Sequence, residues 1–190
     1  MEQSIGEYLL RDWRRDDAPS IAKYANNRKI WLGLRDGFPH PYDHKHAETF
    51  IERAMQSVPA TLFAIATHSE AIGSIGLMIG TDVHRFTAEL GYWLAEPFWG
   101  RGIMTRAVKC VTTYAIEALG LHRVYAEPYT HNVASAKVLE KAGFACEGIL
   151  QSSAFKDGTI CDQFLYSFIG RTAARPGRSQ RSKYPEMNND

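Results

Sequence analysis

Apolar positions along this chain switch repeatedly between a period of two and a period near 3.6, and each switch marks an element boundary. Residues 7–12 read as a short strand. Asp16, Asp17 and Pro19 then supply the acidic cap and early proline of a helix running through Ile21, Tyr24 and Ala25, closed by the polar pair Asn26-Asn27. Residues 31–42 have no period and are crowded with aromatics, Gly and Pro, as expected of an irregular lid over a site. From Asp43, an N-cap candidate, Ala47, Phe50, Ile51, Ala54 and Met55 fall on one face of a second helix.

Three alternating runs, 61–67, 72–79 and 88–95, are separated by short polar connections and predict an antiparallel meander. The longest helix follows, with Ile103, Ala107, Val111, Tyr114, Ala115 and Ala118 as its apolar stripe and Gly120 just past its end. Residues 122–127 predict a strand, and Val133 to Ala142 a helix stopped by Gly143. Segments 144–153 and 163–169 pair as a hairpin around Asp157-Gly158. Helices interspersed with a largely antiparallel set of strands give an α+β class with a mixed sheet.

Composition narrows the function classes. At 190 residues and 45% hydrophobic content the chain suffices for one core, expected as one domain over 1–170. The segment 171–190 is basic and nearly free of large apolar residues, so a disordered tail is expected. Lys and Arg (22) balance Asp and Glu (21), so no nucleic-acid partner is expected and any anion site must be local. The start MEQSIGEYLLRDW carries charges where a signal peptide needs an apolar run, and no stretch reaches membrane-span length, so a soluble, unprocessed protein with no membrane partner is expected. Cys110, Cys146 and Cys161 are odd in number and lack a CxxC pair, which fits a reducing cytoplasm and neither a disulfide framework nor zinc. His40, His44 and His46 cluster without the HExxH arrangement, and no metal is expected.

The chemistry concentrates in Gly100-Arg101-Gly102, between a predicted strand and the longest helix. Two glycines let the backbone curl closely around a ligand, and the first-turn N–H groups of the next helix lack intrahelical acceptors at its positive end, an arrangement suited to pyrophosphate. A bare strand-to-helix turn would use the same residues. No Gly-Lys-Ser/Thr ending makes this a nucleotide P-loop, and Thr105 stands where a dinucleotide fingerprint has its third glycine.

Residues 91–107 (GYWLAEPFWGRGIMTRA), followed by 131–144 (HNVASAKVLEKAGF), resemble the two cofactor segments of the GNAT superfamily of N-acetyltransferases, in the expected order. The early FPHPY and late DQFLYSFI segments look closest to its ribosomal-protein N-terminal (RimJ/RimL-like) branch. The resemblance implies a mostly antiparallel sheet of six to seven strands flanked by about four helices, with one strand pair splayed apart. It also implies transfer from acetyl-coenzyme A to a primary amine, with the N-terminal amine of a protein or peptide among the acceptors it suggests. Cofactor contacts would come from Tyr92, Trp93, Leu94, Trp99, Gly100, Arg101, Gly102, Ile103, Met104, Thr105, Asn132 and Ser135, with a backbone N–H of 92–94 serving the oxyanion.

Three positions depart from the family pattern: Pro97 stands where Gln or Arg is common, Arg106 where Glu often follows the turn, and Leu139 where many members carry a tyrosine acid. Ser135, one helical turn beyond Asn132, is the branch's alternative acid, although a first-turn serine can equally bond its own backbone. Glu89 is the base candidate, because alternation puts it on one face with Gly91 and Trp93, and Glu127 is its rival. With the tyrosine missing, an acyl-coenzyme A sensor of the same fold with little turnover stays open. So do a nucleotide-phosphate binder, a homodimer and an aromatic rim of Trp31, Phe38 and Tyr42 for the acceptor.

Overall fold

The structure is a computed structural model that describes residues 2–170; the expected tail, 171–190, lies outside the described residues. One sheet of eight strands runs through it, in the spatial order β1-β2-β3-β4-β5-β6-β8-β7. Its strands are β1 (Glu2–Ser4), β2 (Leu9–Arg11), β3 (Leu62–Ala66), β4 (Ala71–Ile79), β5 (Thr87–Leu94), β6 (Arg123–Ala126), β7 (Ala145–Lys156) and β8 (Thr159–Ile169). The helices are α1 (Ala18–Ala25), α2 (Arg28–Trp31), α3 (His44–Gln56), α4 (Ile103–Glu117) and α5 (Val133–Ala142).

The α+β class and mostly antiparallel sheet are as expected, with one strand and one short helix beyond the expected counts. β1 is exposed along its whole length, so no alternation announces it, and it pairs with β2 through Glu2↔Arg11. α2 is a single turn opened by Asn27, whose side chain accepts from the Lys29 N–H; Asn27 starts a helix rather than closing one. The last hairpin is longer than expected because β7 carries two register irregularities that blur its alternation. Its Asp157-Gly158 turn has φ of 50° and 80°, the positive pair that a tight two-residue hairpin turn needs.

Strand alternation sends side chains to two cores. Leu10, Phe63, Ile65, Ile72, Leu90 and Val124 pack with Ile103, Ala107, Val111 and Leu139 of α4 and α5. On the opposite face Ala64, Ala71 and Trp93 pack with Ile21 of α1 and with Ala47 and Ile51 of α3. Ala118 and Met55, read as members of apolar stripes, are exposed instead, each lying at a helix end beyond the reach of the sheet.

Among the described residues β5 and β6 form the one parallel pair, because α4 carries the chain back to the same end of the sheet between them. Their pairing covers only Thr87↔Arg123, Ala88↔Val124 and Glu89↔Tyr125. β5 continues to Leu94 while its neighbour does not follow, and a gap opens between the strands at that point. This fork lies in the middle of the sheet and directly precedes the glycine turn.

Candidate active site

A groove of about 1420 Å³ follows the fork. Its walls come from the loop after α2, from β5, from the turn and first residues of α4, and from residues 126–138. Trp93, Leu94, Trp99, Gly100, Arg101, Gly102, Ile103, Met104, Thr105, Asn132 and Ser135 all line it, together with Tyr92 and Glu89. Every residue expected to contact the cofactor or to serve as acid or base is therefore brought to one surface.

At one end the backbone does the work. Gly100 and Gly102 have φ of 76° and 69°, a region that costs an L-residue with a side chain about 1–2 kcal/mol. Gly102 is the N-cap of α4 and offers no side-chain acceptor, and the Arg106 N–H is the one that donates back to its carbonyl. The N–H groups of Ile103, Met104 and Thr105 thus open toward the groove at the positive end of a helix of 15 residues. The turn is braced from outside: the Trp99 indole donates to the Leu94 carbonyl at 2.6 Å, and Arg101 donates to the Pro97 carbonyl at 2.9 Å. Two departures from the family pattern have structural uses here. Pro97 is the central residue of the tight turn Glu96–Phe98, and Arg106 donates to the Ile5 carbonyl at 2.8 Å, tying α4 to the first hairpin.

In the fork, strand parity decides which backbone groups are free. The Ala95 N–H donates to Ile72 and the Thr87 carbonyl accepts from Gly80, so odd positions of β5 face β4 and even positions face β6. The N–H groups of Tyr92 and Leu94 therefore point into the gap, beyond the last β5–β6 pair at Glu89. Across it, the Asn132 side chain caps α5 by accepting from the Ser135 N–H at 3.1 Å. The Ser135 and Tyr92 hydroxyls meet at 2.8 Å. Burial pushes the Tyr92 phenol up to about 12, so it holds its proton at neutral pH. Leu139 is wholly buried among core residues and presents nothing to the groove.

At the other end side chains do the work. Glu89 and Glu127, the two rival bases, are bridged by one guanidinium: Arg35 Nη2 lies 2.6 Å from Glu89 and 3.2 Å from Glu127. Burial raises the Glu89 carboxyl above its ordinary range, Arg35 pulls it down, and the like charge of Glu127 pushes it up again.

Residues 8–145 match the family model described as acetyltransferase (GNAT) domain. The chain belongs to the GNAT family. It is similar to the probable N-acetyltransferase YjcK of Bacillus subtilis, 41% identical over 109 residues covering 56% of this chain and 60% of that protein. It is also similar to the ribosomal-protein-serine acetyltransferase of Escherichia coli, 31% identical over 110 residues, or 58% of this chain and 61% of that protein. Matches to two further Bacillus subtilis N-acetyltransferases cover 56% and 54% of their lengths, so the chain spans just over half of these curated relatives. Among solved structures, RimL, a ribosomal L7/L12 α-N-protein acetyltransferase in complex with coenzyme A, superposes with a TM-score of 0.79 at 18% identity over 89% of this chain and 98% of that one; the likeness is one of fold.

Other expectations meet this GNAT geometry unevenly. The aromatic rim divides, because Trp31 turns away to stack on His40 at 5.7 Å while Phe38 stacks on the buried Tyr42 at 4.9 Å as part of the groove wall. His44 pairs with Glu48 and His46 with Asp43, and among the described residues no group of three ligating side chains gathers as a metal would need. No helix among them is long and apolar enough to cross a membrane. Sequence reasoning missed Arg35 and the Tyr92 hydroxyl. Arg35 lies in an aperiodic loop and reaches Glu127 across 92 residues of chain, a meeting no local pattern encodes.

Proposed function

We propose that this GNAT chain transfers the acetyl group of acetyl-coenzyme A to a primary amine, with the ammonium-bearing end of a protein or peptide as the acceptor class. One observation carries the reading: a single groove joins a helix N-terminus suited to pyrophosphate, a fork with free strand N–H groups, and a carboxylate at the far end. The α4 turn grips the phosphates, and the fork takes the pantetheine arm. Glu89, through water, accepts a proton from the incoming ammonium, whose amine nitrogen then attacks the thioester carbonyl. The backbone N–H of Tyr92 or Leu94 stabilises the oxyanion, and as the C–S bond breaks Ser135 gives its proton to the departing thiolate and regains one from the acylated nitrogen, which sheds its second proton to become the amide. Tyr92 supports that role, since its phenol can donate to Ser135 Oγ and leave the serine proton free for the sulfur.

The protein-acceptor reading draws support from the ribosomal-protein-serine relative, and a reducing cytoplasmic setting from the three unpaired cysteines. The test is thiol release from acetyl-coenzyme A across a panel of small primary amines and N-terminal peptides. Release with at least one acceptor is expected. Tight coenzyme A binding with no release across the panel would favour the sensor reading, to which the buried Leu139 in place of a tyrosine acid lends its support. Coenzyme A competing no better than ATP would instead favour a nucleotide-phosphate site.

A further inference from the structure

Glu89 sits where the two strands part, opposite Tyr125 in the last β5–β6 pair, and Glu127 lies just beyond the end of β6. The Arg35 guanidinium spans that opening and touches both carboxylates. Its own loop is anchored on several sides. Asp36 accepts from Lys156 at 2.7 Å, and Lys156 is buried at the hairpin tip with its Nζ 3.6 Å from the centre of the Trp31 ring. Arg28 pairs with Asp157 of the same tip at 2.6 Å. At Gly33 an added Cβ would come within 3.0 Å of the Asn132 side chain, so the loop also presses on the cap of α5. Arg35 is thus presented by a braced loop rather than by a free one.

An exposed ion pair adds little to stability, and 58% of the Arg35 side chain is in solvent. Glu89 differs, being only 14% exposed, and a carboxylate at such a place needs a cation to stay ionised. We propose that Arg35 is a positioning residue: bridging the two sides of the fork, it aims Glu89 along the groove and keeps it charged to take the acceptor's proton. The inference rests on Glu89 being the base. The charged and titratable groups facing Glu89 are Arg35 from the loop, with Glu127 and Tyr125 from the β6 side; its partner on β4 is Met78, which carries no charge.

The neighbours act with opposite signs, and that makes the inference testable. The acidic limb of kcat/KM against pH follows the base, which works only when deprotonated. Removing Arg35 raises the Glu89 pKa, so Arg35→Gln moves the limb to higher pH; removing the like charge in Glu127→Gln moves it to lower pH. Arg35→Lys restores most of the wild-type profile, and Lys156→Met, by loosening the loop, gives a smaller shift in the Arg35→Gln direction. All profiles use one amine, so its own titration is common to them. Coenzyme A affinity, by calorimetry, stays within twofold of wild type in Arg35→Gln and so reports that the fold survives. A limb unmoved in Arg35→Gln, or moved the same way in both variants, overturns the inference. A limb retained in Glu89→Gln removes the base assignment and this inference with it, whereas a limb lost there but unmoved in Arg35→Gln removes this inference alone.

Discussion

The two ends of the groove are built by opposite means. The end proposed for the phosphates is made of backbone from one stretch of chain, running from Leu94 through the glycine turn into the first residues of α4. The end proposed for the acceptor is made of side chains from three separate places: Arg35 on a loop, Glu89 on a strand and Glu127 at the end of another. A backbone site is fixed by local conformation, and most changes of its side chains leave it in place. A side-chain site is fixed by topology, and each member is individually replaceable. On the proposed function, the molecule would combine a backbone-built grip on the donor with an acceptor end open to revision by single substitutions.

That contrast breaks most sharply at Glu89. Replacing it with Gln keeps the shape and removes the proposed base, and general-base assistance is worth on the order of 10²–10⁴-fold. A loss of kcat of about 10²-fold is expected, with acetyl-coenzyme A binding unchanged by calorimetry. Ser135→Ala should behave alike if the serine protonates the thiolate. A variant of either residue that weakened cofactor binding and left kcat alone would place it at the wrong end.

The phosphate end should break in the reverse sense. Gly102→Val puts a β-branched residue at φ of 69°, where an L-residue is disfavoured by about 1–2 kcal/mol. As about 1.4 kcal/mol is a factor of ten, the Kd for coenzyme A should rise roughly tenfold. Turnover at saturating cofactor should hold. A large fall in kcat at unchanged Kd would mean that the turn serves chemistry rather than grip.

The difference also explains what could be read from the residues. The turn, the α4 stripe and the Asn132 cap were legible because each rests on spacing within a few residues, and α5 runs between the expected bounds. β1 was invisible because it buries nothing, and α2 because four residues are too few to show a period. At the acceptor end the parity of β5 correctly put Glu89 on the Trp93 face, yet Arg35 could not be paired with it. Its lid segment has no period, and only the folded sheet brings residue 35 to residue 127. Pro97 and Arg106 looked like defects in a cofactor motif until their contacts with Arg101 and Ile5 gave them structural work.

Between the two ends lies the Tyr92–Ser135 contact, and Tyr92→Phe tests whether the fork belongs to the rigid half. Removing one hydrogen bond costs about 0.5–1.5 kcal/mol. If Tyr92 orients the serine proton, kcat should fall roughly three- to tenfold with Kd for acetyl-coenzyme A nearly unchanged. An equal loss in the double variant Tyr92→Phe/Ser135→Ala and in Ser135→Ala alone would show that the phenol acts only through the serine.

The smallest effect is expected far from the groove. Glu147 on β7 takes both Arg123 guanidinium nitrogens at 2.6 Å, and Ser167 on β8 donates to it at 2.6 Å, so one carboxylate joins three adjacent strands. The Arg123 hydrogen bonds, with help from Ser167, lower its pKa from 4.5 to about 2. A carboxyl depressed on folding stabilises the protein fully above its unfolded value and loses that contribution as pH falls toward the folded one. Glu147→Gln should therefore melt below wild type at neutral pH, with the difference closing between pH 4.5 and about 2. The side chain is 37% exposed, and such pairs are screened to about 0–1 kcal/mol, at most about 2–4 °C in a chain of this size. Both kinetic constants should stay at wild-type values. A shift in kcat would mean that strain at the β6–β8–β7 edge reaches the fork through β6, and that the acceptor end depends on the whole sheet rather than on its three side chains.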